Sequence, residues 1–130
     1  MPHIVLHLSG KPDAALMESA VQIIQDLTVQ ILNKERNVIA MTTQFIPSEY
    51  WFIGGESLLK LGSSAFHLDI SITDETNTKA EKAQYVSEIY QAMSSLRPHQ
   101  TEISYVHLID ARATSYGYGG RTQEWRYQRR

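Results

Sequence analysis

The most constraining feature of this chain is an internal repeat. An aromatic residue followed closely by paired glycines occurs twice, at residues 51–55 and again at residues 116–120. Each motif follows an extended apolar segment, and each of those segments follows a helix-like segment. Such a repeat limits the possible architectures more than any single motif does. The sequence therefore predicts a β-α-β unit with a terminal hairpin, written twice, over about residues 1–60 and about residues 64–124 of one domain.

The first unit has the pattern of a strand, a helix and a second strand. Apolar and polar residues alternate over residues 2–9, which is typical of a strand with one buried face. Apolar residues then recur every three or four positions over residues 16–32, the spacing of a buried helical stripe. The β-branched and mixed residues 38–46 predict the second strand.

The second unit repeats this order. Residues 66–73 alternate strictly, Thr78 and Glu81 form a capping-box signature, and Pro98 ends the helix that follows. Residues 103–109 predict the fourth strand. Strands joined by one crossover helix normally lie parallel. We therefore predict an α/β fold, in which a four-stranded sheet carries two helices on one face and its other face needs a partner.

Composition narrows the functional classes. The net charge of −2 and the pI near 6.2 give no whole-molecule argument for nucleic acid. The absence of cysteine excludes disulfides, thiolate metal sites and cysteine nucleophiles. No apolar run approaches the roughly 18 residues of a membrane helix, and the start of the chain is unlike a secretory signal. We expect a soluble cytoplasmic protein without nucleic-acid or membrane partners.

Other chemical sites find little support in the sequence. The five histidines show no spacing that makes three metal ligands converge, so no metal site is expected. The paired glycines lack the lysine and the strand-to-helix context of a phosphate-binding loop. The arginine-rich end of the chain is interpreted as a frayed, solvated tail.

Taken together, these features resemble the tautomerase superfamily, and specifically its 4-oxalocrotonate tautomerase branch. The resemblance rests on the Met-Pro start, the Gly10-Lys11 turn after the first strand, and the aromatic-x-Ile-Gly-Gly ending at residues 51–55. It covers the whole chain as two fused units. It implies a homotrimer and a cofactor-independent enzyme that moves a proton within a small, anionic 2-oxo or 2-hydroxy-dienoic acid.

The resemblance implies that Pro2 is the catalytic base. Removal of Met1 would turn the Pro2 nitrogen into a free secondary amine. A general base needs a pKa near the working pH. Apolar surroundings and nearby cations both disfavour the protonated amine, so both would lower the pKa of Pro2. The second unit has no such amine, so at most one proline site is expected per chain.

The resemblance also implies carboxylate-binding cations. Lys11 matches a substrate-binding arginine of the single-unit enzymes, although lysine lacks the planar two-donor fork of arginine. Ala40 stands where relatives carry a second arginine. Arg121, beside the second glycine pair, is the main candidate replacement, and Arg36 and Arg112 are alternatives.

Three aromatic residues complete the candidate site. By the same resemblance, Trp51 and Tyr116 form apolar walls that lower the amine pKa and stack on a planar substrate, and subunit packing is the alternative for both. Tyr105 is a candidate donor to a developing enolate oxygen, or else an ordinary sheet tyrosine.

Other functions remain open at this stage. A proline-based hydratase of unsaturated acids is one alternative. A noncatalytic binding or signalling protein is another, because a fold does not dictate a function. A small-anion-binding module that uses the arginine-rich end is the third.

Overall fold

The computed structural model describes residues 2–129, so Met1 and Arg130 lie outside the described residues. The strands are β1 (His3–Ser9), β2 (Ala40–Ile46), β3 (Phe52–Ile53), β4 (Glu56–Ser57), β5 (Phe66–Thr73), β6 (Tyr105–Ala111), β7 (Gly117–Tyr118) and β8 (Arg121–Thr122). The helices are α1 (Ala14–Leu32), α2 (Leu58–Leu61), α3 (Lys79–Leu96) and α4 (Gln123–Tyr127). Short 3-10 turns at Arg36–Val38, Ser48–Tyr50 and Ala113–Ser115 lead into β2 and the two hairpins.

The sheet joins two β-α-β units back to back. Its strand order is β2-β1-β5-β6, in which β1 pairs with β2 and β5 with β6 in parallel, while β1 and β5 are antiparallel. The repeat extends to single hydrogen bonds after each hairpin. Leu58 N donates to Trp51 O at 2.9 Å, and Gln123 N donates to Tyr116 O at 2.8 Å. The predicted α/β fold with two β-α-β units is confirmed.

The core lies between the two long helices and one face of the sheet. Alternate residues of β1 and β5 are buried there against α1 and α3, and they include Ile4, Leu6, Leu68, Ile70, Ile24 and Ile89. The other sheet face is open in the single chain, where Val5, Asp69 and His107 are exposed. The predicted one-sided packing of the helices is therefore confirmed.

The helix starts follow from short polar side chains. Asp13 Oδ1 accepts from Leu16 N at 3.0 Å and caps α1. The predicted capping box of α3 is present, because Thr78 and Glu81 each accept a hydrogen bond from the backbone of the other. Within residues 2–129, no helix is both long and apolar enough to cross a membrane.

The end of the chain differs from the prediction. Residues 123–127 form α4, and Thr122 caps it by accepting from Trp125 N at 3.1 Å. The guanidinium groups of Arg121 and Arg129 lie 4.5 Å and 4.3 Å from the Trp125 ring, one before it and one after it along the chain. A guanidinium group over an indole face is a favourable cation–π arrangement. The prediction that this segment is frayed is therefore wrong through Arg129, whereas Arg121 and Arg129 are exposed to solvent as predicted.

A buried hydrogen bond between the long helices provides a stability test. The hydroxyls of Thr28 and Tyr85 are 2.8 Å apart and both residues are fully buried. Thr28 Oγ1 donates to Ile24 O at 2.6 Å, so the Tyr85 hydroxyl is the donor to Thr28. Burial raises the pKa of Tyr85, which keeps this hydroxyl protonated at any ordinary pH.

We expect Tyr85→Phe to lower the free energy of unfolding by about 1 kcal/mol, because Thr28 keeps its carbonyl partner. Thr28→Val leaves the tyrosine hydroxyl buried without an acceptor and should cost about 2–3 kcal/mol. The double variant should cost less than the sum of the two. Denaturant unfolding at one fixed protein concentration measures all three values. Additive losses would contradict the pairing.

Candidate functional site

A cavity of about 590 Å³ opens at the strand ends where β1 begins and β6 ends. We call each of the two rows of strand ends an edge of the sheet. Both repeats build it. The first repeat contributes Pro2, His3 and residues 37–40. The second contributes residues 115–118, which run from the end of the 3-10 turn into β7. Pro2 is buried, as are the apolar β1 residues that share its parity. The cavity therefore surrounds the first described residue of the chain.

The position of Pro2 follows from sheet register. His3 lies opposite Ala40 of β2 and opposite Ser71 of β5, so the chain enters the sheet between two neighbours. The Pro2 carbonyl accepts a hydrogen bond from Ala40 N at 3.4 Å. Pro2 thus lies immediately before a central strand, and each repeat supplies one wall of the cavity beside it.

Tyr116 forms one wall of this cavity, and its hydroxyl is engaged. It donates to Ser71 O at 2.7 Å and accepts from the backbone N–H of His3. Burial is the main reason that the pKa of Tyr116 is raised to about 12, and the His3 amide opposes that shift. At neutral pH the side chain is a phenol that joins β1 to β5 beside Pro2.

The described lining of the cavity contains no lysine or arginine. Its polar side chains are those of His3, Asn37, Ser115 and the two tyrosines, and Val38, Ile39 and Ala40 supply apolar surface. Such a lining suits a planar, partly apolar ligand better than a multiply charged one.

The proposed replacement cations lie outside this lining. Arg36 Nη1 pairs with Asp26 Oδ1 at 3.0 Å on the exposed surface. Arg121 is exposed at the tip of the second hairpin and stacks on Trp125, as described above. Arg112 precedes the 3-10 turn that leads into the hairpin, and its carbonyl accepts from Ser115 N at 2.9 Å.

The opposite edge of the sheet, where β1 ends and β6 begins, holds Lys11, Trp51 and Tyr105. The reason is the antiparallel pairing of β1 with β5, which sends the two hairpins to opposite ends of β1. Trp51 is buried against Leu58 and Ala65. Its ring lies 4.6 Å from that of His67, and the His67 ring lies 5.7 Å from that of Tyr105. Within one chain, these three predicted site residues do not reach the cavity of Pro2.

This opposite edge is the counterpart of the Pro2 site in the second repeat. Gly10 N donates to Ile46 O and Asp74 N donates to Ala111 O, each at 2.8 Å, which aligns Gly10 with Asp74. The residue aligned with Pro2 is then Phe66, whose nitrogen is an amide within the chain. Burial, and secondarily His7, lower the pKa of the neighbouring His67. The second edge therefore holds an aromatic cluster around a neutral imidazole and no free amine.

The groove beside Lys11 contains an arginine that the sequence analysis did not single out. Arg97 donates to Ser9 O at 2.6 Å and to Ala65 O at 2.8 Å, so it ties the end of β1 to the start of β5. Burial lowers the pKa of Arg97. Periodicity gave no signal for this contact, because Arg97 simply follows the last residue of α3.

Tyr118 is an aromatic lining residue of the Pro2 site that the sequence analysis did not single out. The guanidinium of Arg126 lies 3.9 Å from the Tyr118 ring, and Arg126 Nη2 donates to Tyr118 O at 2.8 Å. The signal was available, since Tyr118 occupies the position of Ile53 in the repeated hairpin.

A further cavity of about 970 Å³, which Tyr118 also lines, has a mixed-charge lining and does not include Pro2. Among residues 2–129, no group of three or more metal-ligating side chains converges.

Several solved structures share this fold. A fused 4-OT solved as a symmetric trimer has a TM-score of 0.81 at 16% identity, covering 95% of this chain and 98% of that chain. Pt0534 inactivated by 2-oxo-3-pentynoate has a TM-score of 0.80 at 11% identity, covering 94% and 96% of the two chains. A macrophage migration inhibitory factor-like protein from Entamoeba histolytica has a TM-score of 0.72 at 15% identity, covering 93% and 97%.

These likenesses extend over nearly the full length of each chain. At such low identities they show a common fold, and the tautomerase-like fold that the sequence predicted is confirmed. No family model and no curated protein sequence matches this chain.

Proposed function

We propose that this chain is a cofactor-independent tautomerase that moves a proton within a small 2-oxo or 2-hydroxy-dienoic acid. The observation that carries the proposal is the burial of Pro2 in a cavity of about 590 Å³ walled by the second hairpin. The fold that the chain shares with fused 4-OT structures supports it.

In the proposed mechanism, Met1 is removed and the Pro2 nitrogen becomes a secondary amine. The apolar wall disfavours its ammonium form, so the amine is a base at neutral pH. It takes the proton of the substrate enol hydroxyl and delivers a proton to the conjugated carbon, which yields the ketone and restores the amine. Candidate donors for the oxygen on which charge develops are the polar side chains of the lining other than Tyr116, namely those of Ser115, Asn37, Tyr118 and His3.

The proposed active assembly is a homotrimer, the state named for the fused 4-OT structures. The open sheet face of each chain would then turn inward. Lys11, Trp51 and Tyr105 would serve a Pro2 cavity only from a neighbouring chain, because they lie at the far edge of their own sheet. Arg121 would bind a carboxylate by leaving its stack on Trp125.

Labelling with 2-oxo-3-pentynoate tests the base directly. The secondary amine should add to the conjugated triple bond, forming a nitrogen–carbon bond while the amine proton moves to carbon, so no group leaves. We expect one whole reagent mass per chain, located on Pro2 by peptide mass spectrometry. Labelling should abolish keto–enol conversion of phenylpyruvate in proportion.

The outcomes separate the alternatives. Label on another residue, with activity retained, would contradict Pro2 as the base. A trimmed chain that takes no label and shows no turnover would contradict the tautomerase function and favour a noncatalytic binding protein. Water addition to an unsaturated acid, assayed in parallel, would identify the proline-based hydratase.

A further inference from the structure

We propose that the Tyr116 hydroxyl is a positioning group for the Pro2 base, an inference that rests on the proposed function. The hydroxyl oxygen bonds at once to two strands. It donates to Ser71 O of β5 at 2.7 Å and accepts from the His3 N–H of β1. His3 and Ser71 are opposite each other in the β1–β5 ladder. The phenol therefore bridges the first ladder position after Pro2.

This bridge restrains the proline ring through one peptide plane. The His3 nitrogen belongs to the same planar peptide unit as the carbonyl of Pro2. That carbonyl also accepts from Ala40 N, at the longer distance of 3.4 Å. With both sides of the plane held, rotation about the Cα–C bond of Pro2 is the main freedom left to its amine. Burial of the Pro2 ring beside the cavity restricts that rotation in turn, so the held peptide plane and the packed ring together position the amine.

The chemistry of the phenol suits positioning better than proton transfer. Its proton is committed to the Ser71 carbonyl and it already accepts from the His3 amide, so it has no proton ready to give to a substrate. Its pKa of about 12 also keeps it neutral across the working range of an amine base. The ring forms the wall, while the oxygen holds the backbone beside it.

The two repeats differ at this point in the expected way. The hairpin residue aligned with Tyr116 is Trp51, which has no hydroxyl and packs its ring against His67. The residue aligned with Pro2 at that edge is Phe66, whose amide needs no aiming. The bridging hydroxyl thus occurs at the edge where a free amine can form.

Tyr116→Phe removes only this oxygen. We expect kcat/KM to fall about 10-fold to 100-fold through kcat, with KM little changed, because misplacement of a reacting group by about 1 Å costs this much. The acidic limb of the pH–rate profile, on which the base becomes protonated, should move to higher pH, since a mobile amine is better solvated as ammonium. Labelling by 2-oxo-3-pentynoate should slow by the same factor.

Two controls separate positioning from stability. Tyr85→Phe removes a core hydroxyl at a similar cost of about 1 kcal/mol and should leave the pH–rate profile unchanged. Tyr50→Phe removes an exposed hydroxyl from the 3-10 turn before the first hairpin and should change neither stability nor rate. The positioning role is refuted if Tyr116→Phe keeps the wild-type kcat and the wild-type acidic limb of the pH–rate profile. It is also refuted if Tyr116→Phe changes stability alone, as Tyr85→Phe is expected to do.

Amide hydrogen exchange distinguishes this failure from failure of the proposed function. Tyr116→Phe should speed exchange of the His3 amide, whether or not the chain is an enzyme. If Tyr116→Phe speeds this exchange but the trimmed wild-type chain neither turns over nor is labelled, the proposed function is refuted and only the clamp of Tyr116 on the His3 amide is retained. Unchanged exchange would refute the clamp itself.

Discussion

A chain that retains one glycine in front of Pro2 is expected to lose about 100-fold to 10,000-fold in kcat/KM, the usual contribution of a general base. The extra residue turns the amine into an amide, whose lone pair is delocalised into the carbonyl and takes up no proton at neutral pH. The comparison is with the same chain trimmed to Pro2, assayed for keto–enol conversion of phenylpyruvate. Equal rates for the two would contradict an amine base.

Pro2→Ala, also trimmed to its new terminus, controls for steric blockage by the glycine. Alanine keeps a terminal amine and adds no bulk, but it loses the ring that holds the nitrogen. We expect an intermediate loss of about 10-fold to 100-fold in kcat/KM, together with a displaced acidic limb of the pH–rate profile. A glycine extension that acts only by filling the cavity would leave Pro2→Ala at the wild-type rate.

The fold was largely predictable because its signals are local and doubled. Alternation predicts strands, three-to-four spacing predicts helices, and the repeat predicts that one unit occurs twice. The ends of elements were less accurate. The fourth strand was predicted over residues 103–109 and lies at Tyr105–Ala111, because the exposed Ile103 looks like a strand residue to a hydrophobicity pattern.

The site was less predictable, because it depends on how the repeats meet. Pro2 and Tyr116 share a cavity only because β1 pairs antiparallel with β5, and no local pattern encodes that choice. The same pairing takes Lys11 and Trp51 to the far edge. The sequence analysis placed these four residues in one site because it matched each repeat to a single-unit enzyme. That comparison does not specify which repeat or subunit supplies each wall. The bridge from Tyr116 to His3 and Ser71 is likewise a tertiary contact without a sequence signature.

The absence of lysine and arginine from the described lining of the Pro2 cavity bears on the charge of the substrate. Burying a second carboxylate without a cationic partner is costly, whereas an aryl or alkyl end fits against Val38 and the tyrosine rings. If the proposed function holds, the wild-type chain should prefer the enol of phenylpyruvate to 2-hydroxymuconate, a diacid, by at least about 10-fold in kcat/KM.

Ala40→Arg is expected to reverse much of this preference. Ala40 is exposed at the start of β2 and lines the cavity, so a long side chain there has room to reach a ligand. A charge-assisted hydrogen bond of about 1.5–3 kcal/mol corresponds to a gain of about 10-fold to 150-fold in kcat/KM for the diacid. Phenylpyruvate, whose far end is uncharged, should change little.

Ala40→Met is the matched control for this gain. Methionine supplies a flexible, apolar side chain without charge, so it reports the effect of bulk at the same position. The diacid should gain nothing from it. Equal gains from arginine and methionine would mean that packing rather than charge limits the diacid. A wild-type preference for the diacid would mean that a cation from outside the described lining already reaches the ligand. Lys11→Ala should remove that preference if a neighbouring chain supplies the cation, because Lys11 lies at the far edge of its own sheet. Arg121→Ala should remove it if Arg121 leaves its stack on Trp125.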